Sequence, residues 1–146
     1  MTSRERVKLA LRHQEPDRVP IHDSPWGSTI SRWHKEGLPE EIPVNEYFGY
    51  EIASFGADLS PRFPIRVISR NTTYIVETTS FGGVRKNFRD YSTTPEIIDW
   101  PIKSRKDWDR IKERLLPDYT RVNWVSNLAN FQKAYEDGKF ITFGAA

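Results

Sequence analysis

Apolar positions along this chain switch between helical and alternating spacing, and the switches mark out its elements. Val7, Ala10 and Leu11 recur at i, i+3 and i+4, which predicts an amphipathic helix over 3–13. Thr2 followed three residues later by Glu5 is a capping box, in which two orphan N–H groups of the helix start are satisfied reciprocally. Pro16 stops the helix. Arg18-Val19-Pro20-Ile21 then reads as extended, because Pro20 biases Val19 toward the β region, and a first strand is predicted at about 18–22. A short helix follows over Thr29–Lys35, with Gly37 as its C′ residue, and another helical turn over Val44–Phe48.

Ile65–Arg70 and Thr73–Thr79 are β-rich runs around Asn71-Thr72, the pattern of a hairpin, and Gly82-Gly83 turns the chain into Val84–Phe88. Together they predict a β-rich insertion over about 65–90. The helical spacing then returns. Ser104 caps a helix over about 105–115 that buries Trp108, Ile111 and Leu115. A second helix over about 122–136 carries Trp124, Leu128, Phe131 and Tyr135 at i, i+4, i+7 and i+11. Gly138 ends it, and a strand is predicted at about 139–143.

Composition narrows the classes. No run approaches the ~20 apolar residues of a membrane span, and no apolar segment follows the charged N-terminus as in a signal peptide. The net charge of +2 is too small to argue for nucleic acid, and no basic run alternates with aromatics. With no cysteine the segment has neither disulfides nor thiolate ligands, and the cytoplasm is the expected compartment. Five Trp, six Tyr and eight Phe are a heavy aromatic load, expected mostly in the core or bracing loops.

The run from Thr2 to Val7 with His13-Gln14-Glu15-Pro16-Asp17-Arg18-Val19-Pro20-Ile21 closely resembles the N-terminus of the uroporphyrinogen decarboxylase superfamily, which includes corrinoid-linked methyltransferases. Glu46-Tyr47-Phe48-Gly49-Tyr50, the segment Pro95–Pro101, Lys103–Trp108 and Leu115-Leu116-Pro117-Asp118 resemble it as well. The likeness spans about 140 residues and is strongest to divergent branches. It implies an α/β fold, the N-terminal part of a (β/α)8 barrel with an inserted β-hairpin region. Such barrels need about 250 residues, so the 146 residues here are expected to form no closed barrel and to be inert alone. The final run Lys139–Ala146 reads as a buried strand stopping where a βα loop begins. A complete small α+β domain is the competing expectation.

The resemblance implies metal-free decarboxylation of tetrapyrrole acetate side chains, or methyl transfer involving zinc and a corrinoid. The partner is then a small-molecule substrate, tetrapyrrole or corrinoid protein. In a parallel barrel the site lies at the C-terminal strand ends, which places His22 and Asp23 at the edge of the first strand. His22 suits proton shuttling near neutral pH and Asp23 general acid work; a turn-capping Asp23 and a structural His22 are the alternative. Decarboxylases carry an Arg-rich motif directly after this strand. Here the stretch is His22-Asp23-Ser24-Pro25-Trp26-Gly27-Ser28-Thr29, without arginine, so Arg32 and Trp26 are the substrate-binding candidates. The family also uses an aspartate to hold pyrrole N–H groups, and Asp58 is the nearest match. His22 and His34, with no cysteine, make no metal site within this segment. A non-catalytic α+β module that binds a ligand or partner through aromatic loops is the contrasting function.

Overall fold

The structure is a computed structural model and describes residues 1–144. It is mixed α/β, with a two-stranded parallel sheet and a four-stranded antiparallel sheet. The chain falls into two compact units. The first comprises Met1–Pro25, Leu38–Asp58 and the chain from Tyr119 onward; the second comprises Trp26–Gly37 and Leu59–Asp118.

In the first unit, helix α1 (Ser3–Leu11) starts on the expected capping box: Thr2 N–H donates to Glu5 (2.8 Å) and Glu5 N–H to Thr2 Oγ1 (3.2 Å). It ends two residues earlier than the sequence predicts. His13 adopts a left-handed conformation (φ 56°), and the N–H groups of His13 and Gln14 turn back to Ala10 and Leu9. That is a Schellman closure, so the terminus is set by His13 rather than by Pro16.

The predicted first strand at 18–22 is not formed: the chain bends at Asp17-Arg18 and 19–22 joins neither sheet. Strand β1 (Ile52–Gly56) instead pairs in parallel with β6 (Phe140–Gly144), from Ile52 opposite Phe140 to Gly56 opposite Gly144. Ala145 and Ala146, the last two residues of the predicted terminal run, lie outside the described residues. A one-turn helix α3 (Val44–Tyr47) precedes β1, and α5 (Trp124–Glu136) delivers the chain to β6.

Gly138 closes α5 at φ 67°, and a Cβ there would also approach Thr2 Cβ at 3.3 Å. Arg4 fixes this corner. Its backbone N–H donates to Gly138 C=O (2.8 Å), and its guanidinium donates to Tyr135 C=O (2.9 Å) while lying over the Tyr135 ring. The start of α1 thereby satisfies carbonyls at the end of α5.

In the second unit, α2 (Gly27–Lys35) ends at Gly37 as expected. Strands β2 (Val67–Arg70), β3 (Tyr74–Thr78) and β4 (Val84–Phe88) form the predicted meander. Asn71 makes the first turn by accepting the N–H groups of Thr73 and Tyr74 (2.9 and 2.7 Å). Glu77, on β3, is buried opposite Arg85, which donates two hydrogen bonds to it (2.9 and 2.7 Å). A fourth strand, β5 (Glu96–Asp99), pairs with β4 beyond the predicted 65–90.

Helix α4 (Arg105–Ile111) is capped by Ser104, which accepts from Asp107 N–H (3.3 Å). It tightens into a 3₁₀ turn over Lys112–Leu115, so 105–115 is not one continuous α-helix. Ile111 is buried and Leu115 half-buried, but Trp108 is 36% exposed. The expected buried face is corrected accordingly: Trp108 covers its edge rather than filling it.

Candidate functional site

The most deeply enclosed side chain of the first unit is a carboxylate. Glu51 is 0% exposed and stands one residue before β1. An isolated buried carboxylate is strongly disfavoured, so its partners matter. They converge from three places. Arg6, on α1, forms an ion pair with Oε1. Arg18 donates to both oxygens at 3.2 Å. Ile21 N–H donates to Oε2 at 2.7 Å.

Asp17 closes the cluster by accepting two bonds from Arg6, at 2.5 and 2.8 Å. Burial pushes the Glu51 carboxyl up, but these hydrogen bonds and cationic charges outweigh it and hold the group below its usual value. The Arg6 hydrogen bond likewise holds Asp17 down at about 2.

Next to this cluster lie two of the residues selected from the sequence. His22 meets the Tyr50 ring edge-on, with ring centroids 5.9 Å apart, and Tyr50 itself is buried. Burial raises the Tyr50 phenol, and the negative charge of Asp23 adds to the effect. Asp23 also accepts from Ser24 N–H (2.7 Å), the local turn bond open to any loop aspartate.

Asp58 is placed elsewhere. Tyr50 stands two residues before β1 and Asp58 two residues after it, with the five strand residues of β1 between them. At about 3.3 Å per residue the strand alone spans roughly 16 Å. His22 and Asp23 therefore gather with Tyr50 near the start of β1, and Asp58 belongs to its C-terminal end. There the Asp58 backbone is anchored to Arg121: Asp58 N–H donates to Arg121 C=O (2.7 Å), and the Arg121 guanidinium donates to Asp58 C=O (2.6 Å).

Arg32 and Trp26 belong to the second unit. Arg32 pairs with Glu36 one turn along α2, at 3.2 Å. Trp26 is the N-cap residue of α2 and 51% exposed, and with Tyr91, Thr93, Thr94 and Pro95 it lines an open hollow of about 360 Å³. Among the described residues no three His, Asp or Glu side chains converge as a metal-ligand set.

At the C-terminal end of the parallel pair the first unit carries an apolar groove of about 430 Å³. Phe55, Trp124, Leu128, Phe131 and Phe143 line it, and the rings of Phe55, Phe131 and Phe143 lie 5.9–6.2 Å from one another. Leu128 is 61% exposed and Phe143 75%. Of the apolar positions spaced along α5, Phe131 is half-buried, while Trp124, Leu128 and Tyr135 are exposed. The sequence pointed to neither Glu51 nor this groove. No helix among the described residues is long and apolar enough to cross a membrane.

Comparison with protein-family profiles, with curated proteins and with solved structures finds no match to this chain.

Proposed function

We propose that this chain is the N-terminal part of a uroporphyrinogen decarboxylase-like (β/α)8 barrel enzyme of the cytoplasm, acting on a small carboxylated molecule of the tetrapyrrole class. The observation that carries the proposal is the in-register parallel pairing of β1 and β6, with α5 bringing the chain back to the sheet. Parallel strands of this kind are normally buried on both faces by helices. The groove beside α5 and β6 is the place that the next strand–helix unit of such a barrel would cover.

In this reading the chemistry belongs at the C-terminal end of β1, with Asp58 as the aspartate that faces substrate N–H groups. Its backbone is held by Arg121, which suits a group that must keep its position while a carbon–carbon bond breaks and carbon dioxide leaves. His22 and Asp23 lie near Tyr50 at the start of β1, away from this end.

Absence of arginine from His22 to Thr29 favours a second reading, a corrinoid-dependent methyltransferase of the same superfamily, because a polyanionic tetrapyrrole calls for several guanidinium forks. Among the described residues no three side chains converge as a zinc-ligand set.

The test uses the protein encoded by the complete reading frame, supplied with uroporphyrinogen and followed by porphyrin chromatography. Decarboxylated products are expected, and Asp58→Asn should remove them without lowering the melting temperature. Methyl transfer to or from a corrinoid, with no decarboxylation, would replace the first reading by the second. The 146-residue chain assayed alone is expected to be inactive.

A further inference from the structure

The residues from Asp17 to Asp23 run beside the start of β1 without joining a sheet, and the bonds at Arg18 and Ile21 converge on one residue. Glu51 N–H donates to Ile21 C=O (2.9 Å), and the Glu51 carboxylate accepts from Ile21 N–H (2.7 Å). In a sheet, that second N–H would meet a strand carbonyl; here a side chain takes the carbonyl's place. The same carboxylate receives both Arg18 contacts at 3.2 Å. Pro20 has no N–H to offer, which removes one donor that the segment could otherwise use for a further rung. Its other end is tied to the same cluster, because Asp17 grips Arg6 and Arg6 grips Glu51.

We propose that Glu51 is a positioning residue that clamps the 17–23 segment as a strap against the start of β1 and so sets where His22 and Asp23 stand. The proposal goes beyond the barrel reading and holds whichever reaction the protein performs. Two features separate the strap from the sheet behind it. The β1–β6 ladder makes no use of the Glu51 carboxylate. Where the ladder region meets Glu51, it does so through the backbone, with Phe140 N–H donating to Glu51 C=O (2.9 Å). Neutralising the side chain therefore removes the strap's anchor and leaves the ladder's bonds in place. Glu51→Gln keeps the shape but offers a single acceptor oxygen, and its NH₂ must face a guanidinium.

The experiment is amide hydrogen exchange together with the His22 ring resonances by NMR, on the chain itself, on Glu51→Gln and on the milder Arg18→Gln. Exchange resolves local opening from global unfolding residue by residue. In Glu51→Gln the Ile21 amide should exchange at least about tenfold faster, the His22 ring should lose the shift imposed by Tyr50, and the β1 and β6 amides should stay protected. Arg18→Gln, which leaves the Arg6–Glu51 pair, should loosen Ile21 in the same selective way by a smaller factor. Unchanged Ile21 protection and His22 shifts in Glu51→Gln would overturn the proposal. So would parallel loss of protection at Ile21 and throughout β1 and β6, since Glu51 would then support the whole unit and no separate strap would exist. If Glu51→Gln fails to fold, Arg18→Gln decides by the same two criteria.

Discussion

At Glu51 two large effects oppose each other. Removing a carboxylate from water is costly, and only partners of opposite charge and hydrogen-bond donors offset that cost. Glu51 has Arg6, Arg18 and the Ile21 N–H, so the balance favours the ion. Glu51→Ala leaves Arg6 paired with Asp17 alone and takes the acceptor from the Ile21 N–H, and the expected loss is about 1–3 kcal/mol in a denaturant titration. The acid limb of stability follows from the same contacts. Asp17 and Glu51 both titrate below their ordinary values in the folded chain. A lowered carboxyl contributes stability in full above the unfolded value, near pH 4, and that contribution is lost as the pH falls through the folded value. Circular dichroism should show stability declining from about pH 4 toward about pH 2, and Asp17→Asn should flatten that decline. An equally steep decline in the variant would remove Asp17 from the account. None of this clustering was legible beforehand. The capping box at Thr2 and the cap at Ser104 were, since they are written within four residues. Glu51 meets Arg6 and Arg18 across 45 and 33 residues, and nothing local in the sequence marks those pairings.

Among the elements, legibility followed how local the determining signal is. The β2–β4 meander was readable because Asn71 and the Gly82-Gly83 turn sit between β-rich runs. Strand β5 was not, because its four exposed residues carry no alternation to distinguish them from a loop between Pro95 and Pro101. Helix ends show the same contrast. Gly37 and Gly138 announced themselves as C′ residues, whereas His13 in a left-handed conformation could not be read from composition. Gly138→Ala combines a left-handed backbone with a close approach to Thr2 and should lower stability by roughly 1–2 kcal/mol. Gly27 has an ordinary φ and open space around its missing Cβ, so Gly27→Ala should be neutral or mildly stabilising. Chemical denaturation of the two variants side by side checks both, and equal losses would show that the Gly138 geometry is not the cause. Trp108, at 36% exposure, should tolerate Trp108→Leu better than a fully buried tryptophan would.

For the molecule as a whole, the apolar spacing of α5 predicted a helix correctly, but periodicity cannot say what a face is packed against. Trp124, Leu128 and Phe143 lie open along the groove. An uncovered apolar surface of this kind binds hydrophobic dyes and favours association. Leu128→Gln should therefore weaken dye fluorescence while shifting stability by no more than about 0.5 kcal/mol, the usual range for exposed positions. A large loss of stability would mean that the groove is packed in solution. The parallel pair carries a second whole-molecule consequence, for the order of folding. Ser54 and Thr142 meet across 88 residues, so the β1–β6 ladder closes a long loop of chain. Asp58 and Arg121 are bonded to each other where the intervening stretch leaves the first unit and returns to it. The chain between them builds local hairpins, which form quickly, while the ladder must wait for a distant encounter. A chain in which residues 59–118 are replaced by a short Gly/Ser linker should then still assemble its parallel pair, and should do so faster in stopped-flow refolding.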